Sequence, residues 1–355
     1  MKLAIVFGTR PEVIKVATVY LKAKEMGIDV KMIATAQHRE MMDMMLGVFG
    51  ISPDYDMNIM KKNQSLNHIS SAVFLKLDEI IQKERFDWLF VQGDTTTAMT
   101  SALCAFNRGV KVGHIEAGLR SGNLKDPFPE EMNRRVIDQV SDLMFAPTKM
   151  SCENLKKEGH EEKRIVITGN TVVDALFYIR DKFDLKVIRE SIVKEEDYIL
   201  VTLHRRENWG EKMSNILKGI KRFSKETGKK IVFPVHLNPK VRKVVFEELE
   251  GFENALLIDP VNYVEFLSLL SSAAIVASDS GGVQEEAPSF GKFVVVCRNT
   301  TERPELIREG YGILAGTSEE GVYKALIKGI EEKLDGKNPF GDGKASERII
   351  SYILE

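Results

Sequence analysis

The sequence predicts an α/β fold: two Rossmann-like, doubly wound domains facing across a cleft. Two observations lead there. Short apolar runs rich in Val and Ile alternate with longer amphipathic stretches along most of the 355 residues. Continuous apolar strands separated by helical stretches mean parallel sheets covered on both faces. Twelve such runs occur, too many for one compact sheet in a chain of this length, so the chain divides.

In order, the predicted strands are 2–7, 29–35, 87–91, 110–115, 143–146, 164–167, 198–202, 230–234, 255–258, 274–278, 293–296 and 311–314. Helical stretches at 11–26, 65–84, 94–107, 149–158, 211–227, 238–248, 262–271 and 318–334 lie between them. The break falls near GNTVVD at 169–174, just after the run IVIT. The first domain is thus residues 1–168 and the second 169–340. A charged segment, 181–197, shows little apolar periodicity and leads into YILVT. The Pro/Gly-rich turn NPFGDG precedes a last helix, within 341–355, that the chain carries back to the first domain. Ligands of doubly wound domains sit at the carboxyl ends of strands, hence here in the cleft.

Composition removes several classes of function. The formal net charge is -2 with no long run of one sign, which argues against a nucleic-acid surface. Three cysteines, Cys104, Cys152 and Cys297, stand far apart without metal-ligand spacing and suit a reducing compartment. The opening MKLAIVFGTR has too short an apolar run for a signal peptide, and no stretch reaches the length of a membrane span. A cytoplasmic protein without membrane insertion is expected.

Five motifs close predicted strands. FGTRPE at 7–12 makes a tight turn at Gly8 into a helix opened by Pro11, and Arg10 and Lys15 add positive charge where helix-start amides favour an anion. It is not GxGxxG, so no dinucleotide cofactor is indicated. VQGDTTTA at 91–98 puts Asp94 just past a buried strand, where an acid also suits a helix cap. HIEAGLRSGNLKDPFPEEMNRR at 114–135 carries Glu116 at a strand end and Glu130 and Glu131 at a helix start, with Arg134 one turn on. Asp94 and Glu116 end neighbouring strands. Carboxylates converging in one cleft separate their protonation states and form an acid/base arrangement. VTLHRRENWG and PVHLNPKV place His204 and His236 at two further strand ends, beside Arg205. Finally, ASDSGGVQEEAPSFGK offers the amides of Ser280, Gly281 and Gly282 to a diphosphate, with Glu286 a turn later and Arg303 after the next strand.

Together these blocks resemble the non-hydrolysing UDP-GlcNAc 2-epimerases, which have the glycosyltransferase-B-type fold. The resemblance runs through GTRPEVIK, TAQHREM, GDTTTA, HIEAGLRS, PFPEEMNR, GNTVVDAL, HRRENWG, PVHLNP, DSGGVQEEAPSFGK, TERPE and NPFGDGKASERI. It implies a homodimer without cofactor or metal that interconverts UDP-GlcNAc and UDP-N-acetylmannosamine for cell-surface polysaccharide synthesis. It implies Asp94, Glu116 and Glu130 as acid/base groups and His204 beside the reacting sugar. Arg10, Lys15, Ser280, Gly281 and Gly282 would surround the diphosphate, with Arg134, His236 and Arg303 supporting. Glu286 would take the ribose and Phe266 would stack near the uracil. In relatives regulated by a second UDP-GlcNAc, the matching contacts would be Gln37, Glu40, Asn63, Glu131, Arg205 and His236. Those relatives carry Gln at position 40 and Arg at position 63, so a weakened second site is expected here. A hydrolysing 2-epimerase, a 2-epimerase of a UDP-diacetamido-glucuronate and a retaining glycosyltransferase remain the rival readings.

Overall fold

The computed structural model describes residues 1–35, 39–60 and 64–355, and the side chains of all of these except 39–41. The first half of the chain runs β1 (Lys2–Phe7), α1 (Arg10–Glu25), β2 (Asp29–Ala34), α2 (Arg39–Phe49), β3 (Tyr55–Asp56), α3 (Leu66–Glu84), β4 (Trp88–Gln92), α4 (Thr96–Asn107), β5 (Lys111–Ile115), α5 (Glu130–Val140), β6 (Leu143–Ala146), α6 (Lys149–Lys157), β7 (Ile165–Ile167) and α7 (Thr171–Lys182). There follow α8 (Leu185–Ile192), β8 (Ile199–Thr202), α9 (Glu211–Thr227), β9 (Ile231–Pro234), α10 (Pro239–Leu249), β10 (Ala255–Ile258), α11 (Tyr263–Ser272), β11 (Ile275–Ser278), α12 (Gly281–Glu286), β12 (Val294–Val296), α13 (Pro304–Arg308), β13 (Gly312–Leu314), α14 (Glu319–Gly329) and α15 (Ala345–Tyr352).

All twelve predicted strands are present, in two parallel sheets. The thirteenth, β3, is a two-residue edge strand paired with Ile33 and Ala34, too short to leave an apolar run. The segment 181–197, read as a charged connection, instead holds the end of α7 and all of α8, which Asp184 caps through the amide of Val187. Its periodicity is hidden because one inward position is Arg189, buried with its guanidinium on the carbonyls of Val193 and Lys194.

The chain forms two compact units, Met1–Tyr178 with Phe340–Glu355, and Ile179–Pro339. The first holds seven strands in the order β3-β2-β1-β4-β5-β6-β7. Its sheet is covered by helices, and a core including Val6, Ile33, Leu77, Leu89 and Ile137 lies on one face. Helix α15 packs on α1 of this unit: Asp174 accepts from the amides of Ala345 and Ser346, and the Ser346 hydroxyl donates to Thr18 at 2.9 Å. The second unit holds six strands in the order β10-β9-β8-β11-β12-β13, with a core including Val201, Ile220, Phe233 and Leu326.

Counted from the first strand of each unit, both sheets run 3-2-1-4-5-6, and the first adds a seventh strand. The order reverses between β1 and β4 in one unit and between β8 and β11 in the other. In open α/β sheets these reversals leave a crevice at the carboxyl ends of the strands, where ligands bind. The loops that matter therefore follow Phe7 and Gln92 in the first unit, and Thr202 and Ser278 in the second.

Candidate active site

In the first unit the loop after β1 is built around Glu12, whose carboxylate is buried. One of its oxygens accepts from the amides of Gly8 (3.0 Å) and Thr9 (2.7 Å) and from the Thr9 hydroxyl (2.7 Å). The other accepts from the Thr95 hydroxyl at 2.8 Å, which ties this loop to the one after β4. Burial pushes the Glu12 carboxyl above its ordinary value, and the Thr9 and Thr95 bonds pull it part of the way back. This corrects part of the anion-loop expectation for FGTRPE: the Gly8 and Thr9 amides are taken up by Glu12, the Thr9 bond as half of a capping box. Arg10 is exposed at the start of α1. Lys15, one turn on, is buried and forms an ion pair with Glu116.

Glu116 follows β5 with φ at 71°, the left-handed region that a residue with a long side chain rarely adopts. The amides of Glu116 and Ala117 both donate to the carbonyl of Phe145, at 3.1 Å each, and hold it there. Such a backbone costs on the order of 1–3 kcal/mol and persists only where its surroundings impose it. The carboxylate also accepts from Gln92 Nε2 at 2.8 Å. Two residues later Gly118, with φ at 81°, lies so close to Ser151 that a Cβ would stand 2.3 Å from its carbonyl oxygen.

Asp94 follows β4, the neighbour of β5 in the sheet. Its carboxylate pairs with Arg134 on α5, and its carbonyl accepts from Asn133 Nδ2 at 2.7 Å. Glu130 is the first residue of α5, and its Oε2 is buried with no hydrogen-bond partner among the described residues. A buried unpartnered carboxylate oxygen is uncommon and calls for an explanation. Glu131 beside it is fully committed: it accepts from the amides of Ser121 (2.9 Å) and Gly122 (3.3 Å) and from Arg135 (3.2 Å). Burial alone would raise the Glu131 carboxyl, but these donors hold it below its ordinary value.

In the second unit the organising residue is Asp279, which the sequence reading missed. Buried at the end of β11, it accepts from the amides of His204 (3.1 Å) and Arg205 (3.0 Å), from His204 Nδ1 (2.9 Å) and from Asn208 Nδ2 (3.0 Å). With Nδ1 on a carboxylate, the His204 ring is fixed in orientation and presents Nε2 outward. Arg205 turns back, its Nε donating to the carbonyl of Asp279 at 3.1 Å. His236, after β9, accepts from the amide of Asn238 on Nδ1, and its ring lies 6.0 Å from that of His204. Burial and the neighbouring His204 lower the His236 imidazole from its ordinary value.

Ser280 precedes α12 without a side-chain cap bond, and its amide, expected to serve a diphosphate, donates instead to Ser278 Oγ at 3.0 Å. Gly281 has its function in what lies over it: a Cβ there would stand 3.0 Å from the guanidinium carbon of Arg303. Arg303 is held by Glu285 at 2.9 Å and Glu302 at 3.0 Å. Glu302, which burial alone would raise, is brought down to about 2 by Arg303, Arg298 and Arg205. Gly282 follows next. Glu286 is buried and accepts from the Tyr263 hydroxyl at 2.8 Å, while half-buried Phe266 stands one turn along α11 from Tyr263.

Of the expected second-site contacts, Gln37, Asn63 and the Glu40 side chain lie outside the described residues. Glu131 and Arg205 are bound into the internal brackets above. Among the described residues no group of three or more His, Cys, Asp or Glu is arranged to hold a metal ion, and no helix is long and apolar enough to cross a membrane.

Residues 21–354 match the family model described as UDP-N-acetylglucosamine 2-epimerase. The chain is 44% identical to the UDP-N-acetylglucosamine 2-epimerase of Bacillus subtilis over 363 residues, covering 100% of this chain and 95% of that protein. It is 42% identical to the Escherichia coli enzyme of the same name, over 99% of this chain and 98% of the other. Among solved structures it is similar to the Neisseria meningitidis UDP-GlcNAc 2-epimerase bound to UDP-GlcNAc, with a TM-score of 0.92, 42% identity and full coverage of both chains (100% each). The Methanocaldococcus jannaschii enzyme in complex with UDP-GlcNAc and UDP gives a TM-score of 0.86 at 36% identity, over 100% of this chain and 99% of that one. The chain belongs to the UDP-N-acetylglucosamine 2-epimerase family, an isomerase family acting on a nucleotide sugar.

Proposed function

We propose that this chain interconverts UDP-GlcNAc and UDP-N-acetylmannosamine by eliminating UDP and adding it back. The hydrogen on sugar carbon 2 is not beside a carbonyl, so its direct removal and return is very hard. In the elimination, a carboxylate takes that proton as the bond from carbon 1 to the UDP oxygen breaks, leaving UDP and 2-acetamidoglucal with a planar carbon 2. Return of UDP to carbon 1 and of a proton to the other face of carbon 2 completes the inversion. The observation that carries this reading is the set of acids at the carboxyl-end loops of the first unit. Asp94 and Glu116 follow adjacent strands, and Glu130 has a buried unpartnered oxygen at the start of α5. Positioned acids and bases of this kind are what an elimination requires. In the second unit, the Ser280–Gly281–Gly282 turn is assigned to the diphosphate with Arg303 in support, His204 to the reacting sugar, Glu286 to the ribose and Phe266 to the uracil.

Incubating the protein with UDP-GlcNAc alone in deuterated water tests this. UDP-N-acetylmannosamine carrying solvent-derived deuterium at carbon 2 is the expected product. Free N-acetylmannosamine and UDP would instead make the chain a hydrolase, and product without deuterium would rule out exchange at a solvent-accessible base.

The proposal extends to a homodimer at work in the cytoplasm, where nucleotide sugars are made, supplying cell-surface polysaccharide synthesis. Helices α3 and α4 pack on each other, and each exposes a large apolar side chain, Leu75 and Phe106. Sedimentation equilibrium should give twice the 40.0 kDa chain mass, and a single-chain mass at working concentration would refute the dimer.

A further inference from the structure

The residue in the first unit with the least evident purpose is His114, on β5. Its side chain is fully buried, so its role is not to meet substrate. A buried imidazole is costly unless its nitrogens are satisfied, and here both are. Nδ1 lies 2.6 Å from Asp138 Oδ1, and Nε2 lies 2.8 Å from the carbonyl oxygen of Gly93. A carbonyl can only accept, so Nε2 donates. Asp138 also receives Arg120 on its other oxygen, at 2.6 Å. Burial would raise the Asp138 carboxyl, but His114 and Arg120 outweigh it and keep it below its ordinary value. The ring thus bridges Asp138, through Nδ1, and the Gly93 carbonyl, through the Nε2 proton.

The target of this ring is informative. Gly93 has φ at 71° and its own amide donates to the carbonyl of Ile115 at 3.0 Å. With His114 on its carbonyl, both backbone groups of Gly93 are pinned to β5, and the next residue is Asp94. Helix α5 grips Asp94 directly through Asn133 and Arg134. One turn past Arg134, the same helix grips the turn a second time through Asp138 and His114. The far side of Asp138 is anchored in turn, since Arg120 also pairs with Glu158 at 2.9 and 2.6 Å.

We propose that His114 is a positioning residue of the reaction: it transmits the placement of α5 to the Gly93–Asp94 turn and so sets the angle of the Asp94 carboxylate. The inference rests on the reading of Asp94 as an acid–base group. A misplacement of about 1 Å in a reacting group can cost about 100-fold in rate, so a residue that never touches substrate can still govern turnover.

Two substitutions separate this role from simple packing. The amide of Gln reaches about where Nε2 stands and can donate to Gly93, whereas that of Asn stops near Nδ1 and can serve only Asp138. With UDP-GlcNAc as substrate, and rates normalised to the folded fraction by near-ultraviolet circular dichroism, His114→Asn should lower kcat about tenfold or more. Its KM should stay close to the parent value. His114→Gln should recover most of the kcat loss. Equal kcat values in the two variants would reduce His114 to a packing residue and overturn the proposal.

Asp94→Asn is run beside them. An inactive Asp94→Asn with parental kcat in His114→Asn defeats the positioning role alone, whereas parental turnover in Asp94→Asn defeats the acid–base reading beneath it. The unaltered protein supplies a measurement independent of any variant's folding. With 15N-labelled histidine, Nε2 of the His114 ring should show a directly bonded proton. A bare Nε2 would contradict the bond to Gly93 on which the proposal stands.

Discussion

Replacing Asp94, Glu116 or Glu130 by its amide should lower turnover of UDP-GlcNAc by about 10²–10⁴-fold, the usual worth of a positioned acid or base. UDP, which the proposal assigns to the second unit, should still bind. The three variants differ in what else they disturb, and that difference makes the experiment legible. Glu116→Gln confronts Lys15 with a neutral amide and loosens a residue held at positive φ. Asp94→Asn does the same to Arg134, whose side chain is nearly buried. Both should cost stability as well as rate, because an ion pair shielded from solvent is expensive to break from one side. Glu130 has no salt bridge among the described residues, and one of its oxygens has no hydrogen-bond partner there. Glu130→Gln should therefore leave the unfolding midpoint closest to the parent's while turnover collapses. Steady-state rates, UDP calorimetry and denaturant unfolding on the three proteins are the measurements. Near-parental turnover in all three would end the acid–base assignment.

How far the molecule could be read from its sequence depends on the distance over which each feature is decided. The α/β fold was legible because a buried parallel strand is a continuous apolar run wherever it occurs, and all twelve runs became strands. Edge strand β3 was not, since two residues make no run. Helix α8 was not either, because the buried side of it includes Arg189, whose guanidinium is satisfied by carbonyls that follow the helix. In the site, an acid at a strand end is visible locally, and Asp94 and Glu116 were found that way. Their partners were not, because partnership is settled by tertiary juxtaposition. Thr95 meets Glu12 across 83 positions, His204 meets Asp279 across 75, and His114 meets Gly93 across 21. Glu12 is instructive: its place three residues after Thr9 is the signature of a capping box, which commits the Thr9 amide, whereas the Gly8 bond to the same carboxylate has no such signature. Asp279 left a fainter trace, an acid directly before the Ser280–Gly281–Gly282 turn.

Asp279→Ala should destabilise the second unit by about 3 kcal/mol, the upper end of the cost of leaving a buried hydrogen-bonding group unsatisfied. The carboxylate is fully buried, whereas the His204 ring beside it is partly exposed. The substitution removes the common acceptor of two backbone amides, an imidazole and the Asn208 side chain, and each such donor left unpaired adds to the cost. Asp279→Asn keeps the shape and one oxygen, and should lose less. Acid distinguishes a charge effect from lost packing. Burial raises the Asp279 carboxyl, but His204, the Arg205 amide and Asn208 outweigh it and leave the group below its ordinary value. A carboxyl depressed on folding stabilises the native state at pH values above its unfolded pKa of about 3.9, and that contribution fades as pH falls through the folded value. The gap between parent and Asp279→Ala should thus be full at pH 7 and shrink well below pH 4. Trp209, whose Nε1 donates to the carbonyl of His204 at 3.1 Å, reports from beside the substitution. In a Trp88→Phe background its fluorescence follows the second unit through a denaturant titration at each pH. A gap of equal size at pH 7 and pH 3 would assign the loss to packing around Asp279 and exclude its charge as the source.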